Sequence, residues 1–183
     1  MSKQVRKSTR DFPQQFRAAA VSTVAEDART VELVWSTGAK VRRFDWWTGR
    51  KYDEELVMEP GAIRMGRLNG GAPLLDTHNQ YQLDAVIGVV EKAWLDGAEG
   101  RAVVRFAKTE RGEVAFQQVK DGIVRNVSVG YQVHRYEKID PPEDGGVDTW
   151  RAIDWEPCEL SLVPVPADAG AGTRGADGQV KFP

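Results

Sequence analysis

Cysteine and histidine are scarce in this chain of 183 residues: it has one cysteine, Cys158, and two histidines, His78 and His134. A lone cysteine cannot form a disulfide within the chain and is typical of a reducing compartment. Two histidines are too few for a histidine-rich metal site, and neither a metal nor a cofactor is predicted. The same two histidines are the obvious candidates for a base that works near neutral pH.

The chain also lacks long apolar runs and a strong charge of either sign. No run of about 18 or more apolar residues occurs, so no segment is predicted to span a bilayer. The basic segment at residues 1–7 lacks the apolar centre of a signal peptide. A formal net charge of −2 gives no general attraction to nucleic acid or anionic lipid, and neither is predicted as a partner.

Length and local composition predict one folded domain with loose ends. The first residues are polar and charged, and beyond residue 166 the composition falls to alanine, glycine and aspartate. We therefore expect a disordered segment at 1–11, a folded domain at 12–166 and a flexible tail at 167–183.

β-Forming segments separated by turns predict a mostly β domain. An antiparallel meander is expected from three strands at residues 16–24, 30–36 and 40–44. Two helices are expected at residues 60–68 and 109–120. Pro157 predicts a bulge or edge position in the last strand. Trp46, Trp47 and Tyr52 are expected to cover the edge of a small core. The fold class is mostly β or α+β, an antiparallel, strongly curved sheet or barrel of about seven strands with one or two flanking helices.

The chain is organised around the stretch at residues 122–133. From Val127 onwards apolar residues alternate with Ser128, Gly130 and Gln132, a period of two that predicts a half-buried strand. Ser128 is expected on an open face away from the core, beside a glycine that leaves room for another group. A small hydroxyl on a rigid strand suits a nucleophile, and it is equally ordinary in a strand without a catalytic role.

A nucleophilic serine needs a base that takes its proton and a third group that orients the base. His78 is the better candidate base because it lies where a short strand meets a polar loop, although a loop histidine without a role fits the same pattern. His134 shares the face of Ser128, but six residues of extended strand, roughly 20 Å, separate the two.

A hairpin between the last two strands supplies a candidate for the third group. If the hairpin is centred between Glu143 and Asp144, Ser128 lies opposite Glu159, and directly opposed residues have Cβ atoms about 5 Å apart. Strand parity also places Glu159 on the polar face that Ser128 is expected to share. The sequence therefore predicts that Glu159, His78 and Ser128 form one site, if the register holds.

Other reactive residues fit a catalytic role less well. Cys158 is expected to point into the core, where a lone cysteine acts as a small apolar side chain. Asp154 and Glu156 could form an acid pair, but a solvated strand face explains them too. Arg125 could assist an anionic intermediate, and an ordinary surface arginine fits it as well.

Four blocks of the sequence stand out by their order and spacing. They are Leu-Leu-Asp-Thr-His at 74–78, Ile-Gly-Val-Val at 87–90, the segment from Lys-Asp-Gly-Ile at 120–123 to Val-Ser-Val-Gly-Tyr at 127–131, and Glu-Leu-Ser-Leu-Val-Pro-Val-Pro-Ala at 159–167. Within residues 30–167 they resemble the prohead maturation protease family of tailed phages. Residues 125–127 depart from the family, which often has a small residue or glycine before the serine motif, and this bears on the shape of the substrate pocket.

The resemblance implies a fold related to that of the herpesvirus assemblins, which use a Ser-His-His triad on a β-barrel ringed by helices. It implies that Ser128 is the nucleophile, His78 the general base and Glu159 the group in place of the third histidine. The family cuts scaffold and the N-terminal region of the capsid protein inside the immature shell, and then digests itself. The implied partners are the major capsid protein and a scaffold segment, with a homo-oligomer left open, and the implied location is the host cytoplasm, inside the assembling prohead.

Two other functions stay open from the sequence. One is a non-catalytic scaffold or capsid-assembly protein that keeps the fold without the activity, and the other is a different serine-dependent hydrolase such as an esterase. The joint presence of Ser128, His78 and Glu159 argues against the first, because a purely structural domain has no need of the set.

Overall fold

The computed structural model describes residues 15–25, 28–141 and 145–165. The segment expected to be disordered, 1–11, and the expected tail, 167–183, lie outside the described residues. The division of the chain at these boundaries, with a domain at 12–166, therefore stays a prediction.

Nine strands, two α-helices and one short 3-10 helix are formed by the described residues. The strands are β1 (Gln15–Ala25), β2 (Thr30–Ser36), β3 (Val41–Asp45), β4 (Arg50–Leu56), β5 (Pro73–Asp76), β6 (Val86–Asp96), β7 (Glu99–Phe106), β8 (Asn126–Ile139) and β9 (Thr149–Val163). The helices are α1 (Gly66–Asn69), the 3-10 helix (Leu83–Ala85) and α2 (Glu110–Lys120). The mostly β class is confirmed. In the described part of the chain, no helix has the length and apolar character that crossing a membrane requires.

All nine strands of the described part belong to one sheet that mixes antiparallel and parallel pairs. On one edge β9 pairs with β8 in antiparallel fashion, and on its other edge it pairs in parallel with β4 near its beginning and with β5 near its end. The other pairs, β3–β4, β5–β6, β6–β7, β7–β2, β2–β1 and β1–β8, are antiparallel. The predicted antiparallel barrel or curved antiparallel sheet is thus corrected to a single mixed sheet.

The order of the strands in the sheet also differs from the predicted meander. Pairing runs from β9 through β5, β6, β7, β2 and β1 to β8, which pairs with β9. The β1–β2 hairpin is as expected, but β2 pairs with β7 rather than with β3. The β3–β4 hairpin joins the sheet through β9 instead. Local composition carries no signal for such pairings, because they join strands that are distant in the sequence.

The apolar face predicted for β8 is buried, as expected, at Val127, Val129, Tyr131 and Val133. Trp155 of β9 packs edge-on against Tyr131 and Trp35, with ring centroids 5.7 and 6.0 Å apart. Gly100 of β7 faces the indole of Trp35, and a Cβ at that position would lie 2.4 Å from a ring atom. Large aromatic rings therefore fill the centre of the core, and a glycine makes room for one of them.

The helix predicted at residues 109–120 is confirmed as α2. Thr109 caps its beginning, since the hydroxyl accepts a hydrogen bond from the Gly112 amide at 3.2 Å. Gly122, with φ of +67°, follows its end, a position that favours glycine. Phe116 then packs against Phe106 of β7, with ring centroids 5.3 Å apart, and fixes α2 on the sheet.

Two other local predictions are wrong. Of residues 60–68, predicted as a helix, only the last turn is helical, as part of α1 (Gly66–Asn69). Trp46 and Trp47, expected to cover the core, are 86% and 94% exposed in the turn between β3 and β4. Tyr52 is half-buried. Apolar composition alone did not distinguish a side chain that covers a core from one that projects at a hairpin turn.

A buried carboxylate ties the β3–β4 hairpin to β8. Glu54 is 0% exposed, and its Oε2 accepts hydrogen bonds from Arg43 Nε at 3.1 Å and from the Tyr131 hydroxyl at 2.5 Å. The Tyr136 hydroxyl donates to Oε1. Burial, together with the charge of Glu54, raises the pKa of Tyr136, so its hydroxyl stays protonated and able to donate. Each carboxylate oxygen has a donor, as burial of a charge requires.

We expect Glu54→Ala to lower the free energy of unfolding by about 3–5 kcal/mol, because Arg43 loses its buried carboxylate partner and two buried hydroxyls lose their acceptor. Asp53→Ala is the matched control: Asp53 is the preceding residue of β4, and its ion pair with Arg42 lies at the surface. Urea unfolding followed by tryptophan fluorescence measures both variants. Equal losses of stability in the two would contradict the special role of the buried carboxylate.

Candidate active site

Ser128 lies on β8 between two neighbouring strands. It is paired with Ala18 of β1 on one side and with Ser161 of β9 on the other. Alternation puts it on the face opposite to Val127 and Val129, as predicted. The residue is only 2% exposed, so the prediction that it faces an open surface is wrong. Its hydroxyl is therefore buried rather than exposed to solvent.

The register between β8 and β9 differs from the prediction by two residues at this point. Ser128 is opposite Ser161, and Glu159 is opposite Gly130. The pairing is already displaced by one residue nearer the hairpin, and a β-bulge at Cys158 adds the second. Because alternation repeats every two residues, this displacement leaves Glu159 on the face that it was predicted to share with Ser128.

Two residues in the left-handed backbone region turn the chain after β5 back over β9. Thr77 and His78 have φ of +50° and +59°, a conformation that costs roughly 1–2 kcal/mol per residue for side chains other than glycine. Hydrogen bonds from Thr77 N to Leu162 O at 3.0 Å and from His78 N to Ser161 Oγ at 3.1 Å hold this turn. Backbone strain of this kind clusters at functional sites.

His78 and Glu159 are in direct contact. Nδ1 of His78 lies 2.7 Å from Glu159 Oε1, and the Ser161 hydroxyl donates to Glu159 Oε2 at 2.6 Å. Glu159 is 2% exposed and Ser161 is 0% exposed. A carboxylate in this position accepts a hydrogen bond from Nδ1–H, so Nε2 is the imidazole nitrogen that can take a proton from a hydroxyl.

Ser161 lies next to both the His78–Glu159 pair and Ser128. Directly opposed residues of an antiparallel pair have Cβ atoms about 5 Å apart, and diagonal neighbours lie about 7–8 Å apart. Ser128 is the direct neighbour of Ser161 and a diagonal neighbour of Glu159. The structure thus gathers Ser128, His78 and Glu159 around Ser161.

Ser161 was not predicted to be part of the site. Alternation along β9 already placed it on the polar face with Glu159, but no role followed from that position. The signal that could have found it was the bulge expected at Pro157, because one extra residue in β9 moves Ser161 towards Ser128.

Comparison with known proteins bears on what this cluster is. A model of the caudovirus prohead serine protease family matches residues 41–179, more than half of the chain, and this range includes Ser128, His78 and Glu159. The chain belongs to this family. The resemblance stated from the four sequence blocks is confirmed.

Two curated relatives of this chain are named as capsid proteins. The major capsid protein of Halomonas phage phiHAP-1 is 41% identical over 120 residues, which cover 65% of this chain and 20% of that protein. The capsid polyprotein of Pseudomonas phage PAJU2 is 33% identical over 106 residues, which cover 54% of this chain and 15% of that protein. The matched part of the chain thus spans a fifth or less of the length of these relatives.

No solved structure matches this chain. The expected relation in fold to the herpesvirus assemblins therefore stays a prediction.

Other residues considered for a catalytic role lie apart from the cluster. His134 is an extra residue in β8 at a second irregularity of the pairing with β9, and its buried Nε2 has no hydrogen-bond partner among the described residues. Asp154 and Glu156, considered as an acid pair, contact Arg64 and Arg67 instead. The hydrogen bond from Arg64 is the main cause of the lowered pKa of Asp154. Within the described ranges, no three or more potential metal-ligating side chains are grouped to hold an ion.

Cys158 and Arg125 are not part of the cluster either. The bulge predicted at Pro157 is confirmed, with Cys158 as its extra residue. Cys158 is half-buried rather than in the core, so the prediction that its side chain points into the core is wrong. Arg125 is exposed, as the ordinary reading expected, and donates to the Gly122 carbonyl.

An open cleft of about 270 Å³ borders the cluster next to Glu159. Leu75 and Cys158 line it, and Tyr81 and Leu83, from the loop that follows His78, stand exposed at its edge. Large exposed apolar side chains beside a cleft are typical of a surface that contacts a ligand.

Cys158 is expected to react slowly with iodoacetamide at pH 8, because burial raises the pKa of its thiol and reduces the reactive thiolate. The raised pKa means that the rate should rise as the pH increases above 8. Mass spectrometry of the alkylated protein, with the same chain in urea as the control, measures the difference. A native rate equal to the rate in urea would contradict the half-buried position.

Proposed function

We propose that this domain is a serine endopeptidase that cleaves scaffold and capsid-protein N-terminal regions, and itself, during phage head maturation. The contact of His78 Nδ1 with Glu159 Oε1 at 2.7 Å, beside the strand position of Ser128, carries the proposal. An acid, an imidazole and a serine hydroxyl are the three parts of a catalytic triad, in which the imidazole takes the hydroxyl proton and the acid stabilises the imidazolium. Membership of a serine protease family supports the same reaction class.

In the proposed first step, the Ser128 hydroxyl attacks the carbonyl carbon of a peptide bond. Nε2 of His78 takes the hydroxyl proton as the new carbon–oxygen bond forms. The carboxylate of Glu159 stabilises the resulting imidazolium through Nδ1–H. His78 then gives the proton to the departing amine, the peptide bond breaks, and an acyl group remains on Ser128.

In the second step, water completes the hydrolysis. His78, neutral again, takes a proton from a water molecule as that water attacks the acyl carbon. The proton passes to Ser128 when the ester bond breaks, which releases the carboxylic acid and restores the starting state. Glu159 stays ionised throughout, and its part is to orient and stabilise the imidazole.

The burial of Ser128 adds a requirement to this mechanism. A residue that is 2% exposed is not reached by a substrate backbone without a local rearrangement that uncovers its hydroxyl. We place the substrate chain in the cleft beside Glu159, where the exposed side chains of Tyr81 and Leu83 offer apolar contacts. The cleft and the cluster share Glu159, so a chain bound there runs close to the reacting groups.

The names of the two relatives support the capsid protein as a substrate. Each relative is named for the capsid, and the matched part is a small share of its length. For this chain we propose the major capsid protein and a scaffold segment as partners, the host cytoplasm inside the assembling prohead as the location, and self-digestion as the last event.

A second candidate function is a non-catalytic part in capsid assembly. The burial of Ser128 and the capsid names of the relatives favour it. The hydrogen-bonded His78–Glu159 pair favours the enzyme, because an assembly role gives no reason to hold a left-handed histidine against a buried carboxylate.

Ser128→Ala is expected to keep the melting temperature and to abolish labelling by a fluorophosphonate probe, because the nucleophile is lost while the packing changes little. The active chain should also lose mass at its C-terminus on storage, and the variant should stay full length. Mass spectrometry measures both.

Wild-type chain that takes no probe and cuts neither itself nor co-expressed capsid protein would favour the assembly role. Cleavage of small esters without cleavage of peptides would favour an esterase. Trimming of the wild type and the Ser128→Ala variant at the same rate would point to a contaminating protease.

Glu159→Gln is expected to lower turnover by up to about 10⁴-fold, because an amide at this position donates to Nδ1 and fixes the wrong imidazole tautomer. His134→Ala is the matched control, since His134 lies outside the cluster. Cleavage of co-expressed capsid protein and the rate of probe labelling measure the effect. A normal rate in Glu159→Gln together with a dead His134→Ala variant would show that the triad is Ser-His-His.

A further inference from the structure

Ser161 makes two hydrogen bonds that join Glu159 to the backbone of His78. Its hydroxyl donates to Glu159 Oε2 at 2.6 Å and accepts from the His78 amide at 3.1 Å. The residue is fully buried, and it stands directly opposite Ser128 in the sheet. One hydroxyl therefore both donates and accepts a hydrogen bond inside the cluster.

The two oxygens of the Glu159 carboxylate have separate partners. Oε1 contacts His78 Nδ1, and Oε2 receives the Ser161 hydroxyl. Two bonds in different directions stop the carboxylate from rotating about its last side-chain torsion. The position opposite Glu159 in β8 is Gly130, which has no side chain to restrain the carboxylate, so its two partners are His78 in the turn after β5 and Ser161 in β9.

The bond from the His78 amide acts on the backbone rather than on the ring. His78 and Thr77 both have positive φ, so the turn needs a fixed acceptor to stay in place. Ser161 Oγ is that acceptor for His78. The same hydroxyl thus helps to fix both the backbone position from which the His78 imidazole extends and the orientation of the Glu159 carboxylate.

We propose that Ser161 is a positioning residue of the site, which holds Glu159 and the backbone of His78 in the geometry that lets the imidazole act on Ser128. This inference rests on the proposed function. It assigns Ser161 no contact with substrate: its effect passes entirely through Glu159 and His78.

The test compares Ser161→Ala, Ser161→Thr and Ser36→Ala in the full chain. Ser36→Ala is the matched control, because Ser36 is equally buried on a strand and its hydroxyl also accepts a backbone amide bond, from Gly38 at 3.2 Å, outside the site. A fluorophosphonate serves as the probe, and its labelling kinetics separate the affinity for the probe from the rate of reaction of the bound probe. Isotope-labelled histidine allows the Nδ1 proton of His78 to be followed by NMR.

Ser161→Ala is expected to lower the rate constant of the bound probe by about 100-fold, the loss that a displacement near 1 Å can cause, with probe affinity unchanged. The His78 Nδ1 proton resonance should shift or broaden in the same variant. Ser161→Thr keeps the hydroxyl and should recover most of the rate. Ser36→Ala should match the wild type in both measurements.

A Ser161→Ala variant with wild-type labelling and an unchanged His78 resonance would overturn the inference. So would a Ser161→Thr variant of normal melting temperature that recovers neither. If the threonine does not fit, the resonance in Ser161→Ala decides alone. If the wild type takes no label at all, the proposed function fails, and the resonance still shows whether Ser161 holds the pair.

Discussion

β8 and β9 are held together by a ladder of paired residues that extends from Asn126 and Val163 at one end to Ile139 and Thr149 at the other. On one face of β8, Tyr131 reaches the core and donates its hydroxyl to the buried Glu54. On the other face, Ser128 meets Ser161. On its other edge β9 pairs in parallel with β4 and β5. It therefore holds the β3–β4 hairpin, the β5–β6 pair and the turn that carries His78 in place.

Two carboxylates of the described residues are buried beside this ladder, Glu54 on β4 and Glu159 on β9, and they are held in a similar way. Glu54 and Glu159 are each taken out of water and each receive hydrogen bonds on both oxygens. A buried charge that lacked one of these donors would be strongly destabilising, so both sites are fixed by the same requirement. The difference lies in the partners: an arginine and two tyrosines hold Glu54, whereas the imidazole of His78 and the hydroxyl of Ser161 hold Glu159.

The parts of the fold that depend on local sequence pattern were predictable. Alternation identified the core face of β8, Thr109 marked the beginning of α2, and Pro157 indicated the bulge. The parallel pairs of β9 were missed because they join distant segments, and no local propensity records them. The turn at His78 was missed for another reason: left-handed backbone at threonine and histidine is imposed by tertiary hydrogen bonds, against intrinsic preference. Within the site, the shared face of Ser128 and Glu159 was predictable from alternation. The pairing of Ser128 with Ser161 was not, because it depends on the bulge and on the register of the hairpin.

The bulge at Cys158 changes which residues of β9 serve the core. Trp155 lies on the core face before it, and strict alternation would carry that face on to Glu159. The extra residue reverses the phase, so the carboxylate leaves the core and enters the site. At this point the strand is therefore constrained by the number of residues between Trp155 and Glu159 rather than by the side chain at position 158. Many side chains should be accepted at position 158, but loss of the residue would bring a charged group under the tryptophans and leave the imidazole without its acid.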